Sequence, residues 1–165
     1  MRRSSGLLAC VATLSAAFGA ETSVRLDDAT IRFDAARWKT TALDNSVAFI
    51  PKGEAERELD PVTLRSLSDD APCAAMAERS FQIGRYDLSE NSPRRVTIGG
   101  VAGERFSAHT RCRNATPRGE VMCVKVDKRT YMLEALHVGC GGRNLFSGID
   151  PLSEIAAGIS FSTAP

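Results

Sequence analysis

RRVTIGGVAGERFSAHTRCRNATPRGEVMCVKVDKRTYMLEALHV, residues 94–138, decides the fold. Three apolar-rich runs in it are separated by two turn signals, which predicts a three-stranded antiparallel meander at the centre of the molecule. Residues 94–98 read as a strand that enters it. The glycines of 99–103 mark a turn. Residues 104–112 read as the next strand, and Pro117 and Gly119 turn the chain again. Residues 121–126 and 131–138 then return on either side of Asp127-Lys128-Arg129. A tight turn there sets Val124 against Leu133 and Val126 against Tyr131. The other face of this pair carries Val121, Cys123, Leu136 and Val138. A sheet that is apolar on both faces needs cover on both.

Two helices are on hand to supply that cover. Ser68-Asp69-Asp70 followed by Pro72 starts one over 72–83, with Cys73, Met76, Ala77 and Ser80 on one side. Asp150 as cap and Pro151 as first helical residue start a second, whose stripe is Leu152, Ile155 and Ala156. Gly158 ends it, and residues 159–161 pack last. Upstream, 29–33 and 62–67 alternate as half-buried strands, and 46–50 is a short apolar one. Trp38 reads as a core or edge anchor under the first hairpin. Residues 22–28 are a polar start, and 53–61 a charged loop or short exposed helix. The fold class expected is therefore α+β: a central antiparallel sheet of about six strands with helices packed on both faces.

The N-terminus has the layout of a secretory signal. Arg2 and Arg3 precede an apolar run over 7–17, and Ala17-Phe18-Gly19 offers a cleavage site after Gly19. Cys10 lies inside that run, which fits a leader interior better than a lipid-anchor motif. The expected organisation is a signal peptide over 1–19 and a single domain over 20–165, periplasmic or secreted, with no stable membrane span. The chain of 165 residues carries a net charge of +1, and loss of Arg2 and Arg3 takes it to about −1. No basic stripe interleaved with aromatics is present, so nucleic acid is not an expected partner.

Export leaves four cysteines, Cys73, Cys112, Cys123 and Cys140, and an even number in an oxidising compartment predicts two disulfides. Cys112 and Cys123 flank a hairpin turn, so the favoured pairing is Cys112–Cys123 with Cys73–Cys140. Cys73–Cys112 with Cys123–Cys140 competes with it. His109-x-x-Cys112 and His137-x-x-Cys140 repeat a His-x-x-Cys spacing. Two His and two Cys suit zinc, and Met76, Met122 or Met132 would add soft ligands. On strands, however, residues i and i+3 point to opposite faces, which disfavours His109 and His137 as a metal pair. Arg111, Arg113 and Arg118 cluster around the turn as a small basic patch able to meet an acidic partner. No Gly-x-Ser-x-Gly elbow is present, and Asp69-Asp70 and Glu54/Glu58 read as cap and surface.

The order of elements resembles the PsbP-like fold family. The residues that carry the likeness are Val47-Ala48-Phe49-Ile50-Pro51 after an early Trp, and Val96-Thr97-Ile98-Gly99-Gly100 followed by Ala102-Gly103-Glu104-Arg105-Phe106. Gly158-Ile159-Ser160-Phe161 closes the pattern. The resemblance implies a central antiparallel sheet with helices on both faces, and an accessory or binding role rather than catalysis. The functional expectation is an exported non-enzymatic binding or accessory domain with two disulfides, its protein or small-molecule partner unknown, and no cofactor. The alternative is a periplasmic metal- or redox-handling protein using the His/Cys/Met set, and a small hydrolase stands third.

Overall fold

The computed structural model describes residues 21–53, 60–68, 70–83, 93–109, 118–136 and 150–162. Ten strands and two helices make up these residues: β1 (Glu21–Leu26), β2 (Ala29–Asp34), β3 (Trp38–Leu43), β4 (Ser46–Pro51), β5 (Val62–Leu67), α1 (Cys73–Ile83), β6 (Arg94–Ile98), β7 (Val101–His109), β8 (Arg118–Val126), β9 (Arg129–Ala135), α2 (Pro151–Ala157) and β10 (Ile159–Phe161). Seven strands form one sheet in the order β3-β4-β5-β9-β8-β7-β6, and three form a second in the order β1-β2-β10. Every pairing in both sheets is antiparallel.

This architecture overturns the expected α+β sheet with helices on both faces. Strand accounts for 60% of the described residues and helix for 17%. The meander over 94–138 has four strands, β6 to β9, because Arg94–Ile98 pairs fully with β7. Gly99 and Gly100 alone make its first turn, at φ 57° and 82°. That is the left-handed region a two-residue hairpin demands.

The physical reason for the error lies in cover. Along β5 and β9, Val62, Leu64, Tyr131, Leu133 and Ala135 point to one face, and Met132 points to the other. Alternation therefore does bury both faces. On the second face α1 supplies Met76, Ala77 and Phe81, which pack with Phe106, Ala108, Val121, Cys123 and Met132. On the first face the cover is chiefly the three-stranded sheet, through Leu26, Ala29 and Ile31. The short helix α2 joins it with Leu152 and Ile155. A second sheet does what a second large helix was expected to do.

The β8–β9 register differs from expectation. Val124 lies opposite Tyr131, and Met122 opposite Leu133. The turn is only Asp127-Lys128, which moves the ladder two residues and so keeps every side chain on its expected face. Trp38 opens the edge strand β3, and it is fully buried. The reading as a core or edge anchor fits this place.

Chain path explains the position of α1. β5 sits mid-sheet beside β9, while β6 is the far edge. The link from β5 to β6 has to pass over β9, β8 and β7, and α1 is that crossing. It puts Cys73, in the helix's first turn, over Cys123 in the middle of β8. The two form a disulfide with Cα atoms 5.7 Å apart. Neither pairing argued from the sequence contains this bond. Cys123 is opposite Glu104, deep in the ladder, not beside the hairpin turn that suggested Cys112–Cys123.

Candidate functional site

Of the residues singled out from sequence, Cys73 and Cys123 are joined to each other. His109 ends β7, opposite Arg118 in the ladder and half buried. By strand parity it points away from α1, because Phe106 and Ala108 point toward it. Among the described residues no group of three or more His, Cys, Asp or Glu could hold a metal ion. Cys112, Cys140, His137, Arg111 and Arg113 lie outside the described residues, as do the side chain of Arg118 and the signal region 1–19.

Two polar clusters lie inside the fold. On the α1 face, Ser80 Oγ donates to Glu134 Oε1 at 2.5 Å. One guanidinium nitrogen of Arg65 reaches the same oxygen at 2.5 Å and Ser80 Oγ at 3.1 Å. Ser80 and Glu134 are buried, so this is a polar clasp between α1, β5 and β9, with its charge compensated in place. On the opposite face Arg105 is the hub. It pairs with the buried Glu120, donates to Asp150 Oδ2 at 2.6 Å and reaches Ser153 Oγ at 3.0 Å. Ser107 Oγ donates to Glu120 Oε1 at 3.1 Å. Asp150 in turn caps α2, accepting the Ser153 N–H at 3.1 Å. Burial alone would raise the Asp150 pKa, but the bonds from Arg105 and Ser153 outweigh it and hold the carboxyl below its ordinary range. In both clusters a serine sits against a carboxylate whose charge an arginine meets. That arrangement clamps elements together and leaves no activated hydroxyl.

The open chemistry lies elsewhere, at the seam between the small sheet and α2. A cleft of about 730 Å³ is lined there by Glu21, Arg32, Phe33, Asp34, Glu154, Ile155, Ala157, Gly158, Ile159 and Ser160. Three separate stretches build it. β1 and β2 bring Glu21 and Asp34 directly opposite each other. α2 brings Glu154 and Ile155. β10 brings Ile159, which pairs with Ile31. Gly158 lets these parts meet: Arg32 N–H donates to Gly158 O at 2.9 Å, and any Cβ at 158 would run into the Arg32 carbonyl. Its φ is −86°, so glycine is needed here for close approach rather than for a left-handed turn.

The lining carries the charged side chains of Glu21, Arg32, Asp34 and Glu154, while its apolar members Ile155 and Ile159 are buried in the core and Phe33 packs against it. Glu154 is held from two sides. Trp38 Nε1 donates to its Oε1 at 2.9 Å, and Arg37 reaches its Oε2 at 3.1 Å. Asp34 Oδ1 accepts the Ala36 N–H at 2.8 Å. Phe33 packs edge-on to Phe49 with ring centres 5.5 Å apart, tying β2 to the large sheet on the core side. Sequence reading gave none of these residues a functional role; Trp38, Ile155 and Gly158 were read only as structural. The one signal was indirect: Trp38 was singled out, and its indole nitrogen points to Glu154. No family model matches the chain, and no curated protein matches it.

Proposed function

We propose that this protein is an exported, non-catalytic binding or accessory domain, akin to PsbP-like proteins, and that it binds its ligand in the cleft between the small sheet and α2. The observation that carries the reading is the cleft. Its volume falls in the range of small-molecule sites, about 300–1,000 Å³, and charged side chains from β1, β2 and α2 line it. The serine–carboxylate pairs inside the fold support a binding role over hydrolysis, since each is clamped by an arginine. The Cys73–Cys123 bond supports export to an oxidising compartment.

Screening a small-molecule library by thermal shift, on the native chain and on Ala157→Trp, tests the cleft. Ala157 is exposed on the cleft wall, so the indole fills the cleft and spares the core. Ligands that stabilise the native chain and not the variant are expected. Stabilisation that survives the substitution overturns the assignment. Mass measurement of the protein recovered from a bacterial periplasm tests export, with a mature start at Ala20 expected. A chain that stays in the cytosol with residues 1–19 attached overturns it.

A further inference from the structure

We infer that β3 is a dimerisation edge: two copies of this chain pair their β3 strands antiparallel about a two-fold axis at Thr41, joining their large sheets into one. The inference is independent of the cleft.

The large sheet ends at β3, which has β4 on one side and no strand on the other. An edge strand presents a row of backbone N–H and C=O groups ready to pair with another strand. Lys39 to Leu43 are exposed in succession, so side chains on both faces of β3 stand clear of the small sheet and of α1. A second strand can therefore come alongside in the plane of the sheet. The pairing of β3 with β4 runs without a break from Trp38 opposite Pro51 to Leu43 opposite Ser46, so no bulge bends the edge away.

The other three edges are blunted and β3 is not. β6 carries the exposed Arg94 and Arg95 in succession, one for each face. β1 carries Glu21 and Arg25. β10 is only three residues long. β3 has six residues, no proline and a single charge, Lys39. It also ends on Leu43, which is 65% exposed and is, with Ile83, one of the large apolar side chains left in solvent.

The strand's own sequence points to the occupant. Across a two-fold axis perpendicular to the sheet, antiparallel strands set residues of the same face opposite each other. Centring on Thr41 puts Thr41 opposite Thr41, Thr40 opposite Ala42, and Lys39 opposite Leu43. The threonine pair can hydrogen-bond, and the aliphatic stem of each Lys39 covers the exposed Leu43 of the other copy. Charge is complementary along the same line. The chain is basic where it enters the strand, at Arg37 and Lys39, and acidic where it leaves, at Asp44, and all three are exposed. Antiparallel pairing lays Asp44 of each copy between Arg37 and Lys39 of the other, and no like charges meet across the pair. The formal charge of +1 adds little repulsion between copies. Six residues on each side make a small contact, so the dimer is transient, with a dissociation constant of roughly 10 μM to 1 mM.

Sedimentation equilibrium of the protein with its Cys73–Cys123 bond intact, over about 1 μM to 1 mM, tests the pairing. The native chain is expected to show a monomer–dimer equilibrium. Thr41→Lys and Thr41→Glu each set like charges face to face on the axis, and each alone should weaken the dimer about fivefold to tenfold. An equimolar mixture of the two variants should recover it, because opposite charges then face each other. Thr41 is exposed on the edge, so the urea midpoint of either dilute variant should match that of the native chain. Amide hydrogen exchange gives a second readout. At every other residue of β3, where the N–H points outward, exchange should slow as protein concentration rises. A native chain that stays monomeric throughout overturns the inference and leaves the edge to a strand of a different protein. A dimer that survives both variants unchanged, or a mixture no more dimeric than its parts, overturns it as well.

Discussion

At Gly158 the backbone leaving α2 is pressed against the carbonyl of Arg32. Gly158→Ala forces a methyl group into that contact, and neither backbone can yield without breaking the Arg32–Gly158 hydrogen bond. We expect a loss of about 1–3 kcal/mol, as for overpacking elsewhere. It would read as a lower urea midpoint, and an unchanged midpoint would contradict the contact. Asp150 gives a pH signature. Its folded pKa is depressed by Arg105 and Ser153, so its contribution is present above the unfolded value, near about 3.9, and fades as pH falls through the folded one. Asp150→Asn should therefore make urea stability less dependent on pH below about 4, and should cost stability at neutral pH. Native and variant curves that run parallel down to pH 2 would exclude the role. Tyr131 is shifted the opposite way: burial raises its pKa, so stability is lost as pH climbs beyond about 10. Asp150 was legible in the sequence as a cap. Its partner Arg105 was not, because 45 residues separate them.

Among elements, the strands with apolar alternation were legible and those without it were not. β5 and β6 fall on their expected residues, and α1 and α2 start within a residue of their Pro signals. β1 and β3 were missed. Lys39 to Leu43 are all exposed, because β3 is an edge strand beyond the core, and an edge leaves no periodic trace. β1 has only Leu26 fully buried. Those omissions turned a two-sheet protein into an expected single sheet between helices. The cleft was illegible for a related reason: residues 21, 32–34 and 154–160 meet only once β2 lies between β1 and β10. The crossing helix also explains the disulfide. A bond across 50 residues of sequence should contribute about 2–4 kcal/mol. Reduction, or Cys73→Ala with Cys123→Ala, should lower stability by that amount in urea titration. Peptide mapping without reductant should yield a Cys73–Cys123 species, and a Cys112–Cys123 species would refute the crossing.

For the whole molecule, the pairings that close the sheets are remote in sequence. β5 meets β9 through Thr63 opposite Glu134, and β2 meets β10 through Ile31 opposite Ile159. Domains built on such non-local pairing fold in milliseconds to seconds, not microseconds. Stopped-flow refolding should fall in that range with the disulfide intact, and microsecond refolding would mean that local contacts dominate. Hydrogen exchange should be slowest in β8 and β9, which are flanked on both sides in the large sheet, and fastest in the edge strand β3.

The position of β10 also matters while the chain is being made. Thr30 accepts a hydrogen bond from Ser160, 130 residues later. At about 5–20 residues per second, synthesis leaves β2 without its second neighbour for roughly 7–26 seconds. During that interval the cleft lacks the side that α2 and β10 supply, and the small sheet is a bare hairpin, which is marginal alone in water. A nascent chain therefore stays open on this side until its last strand emerges.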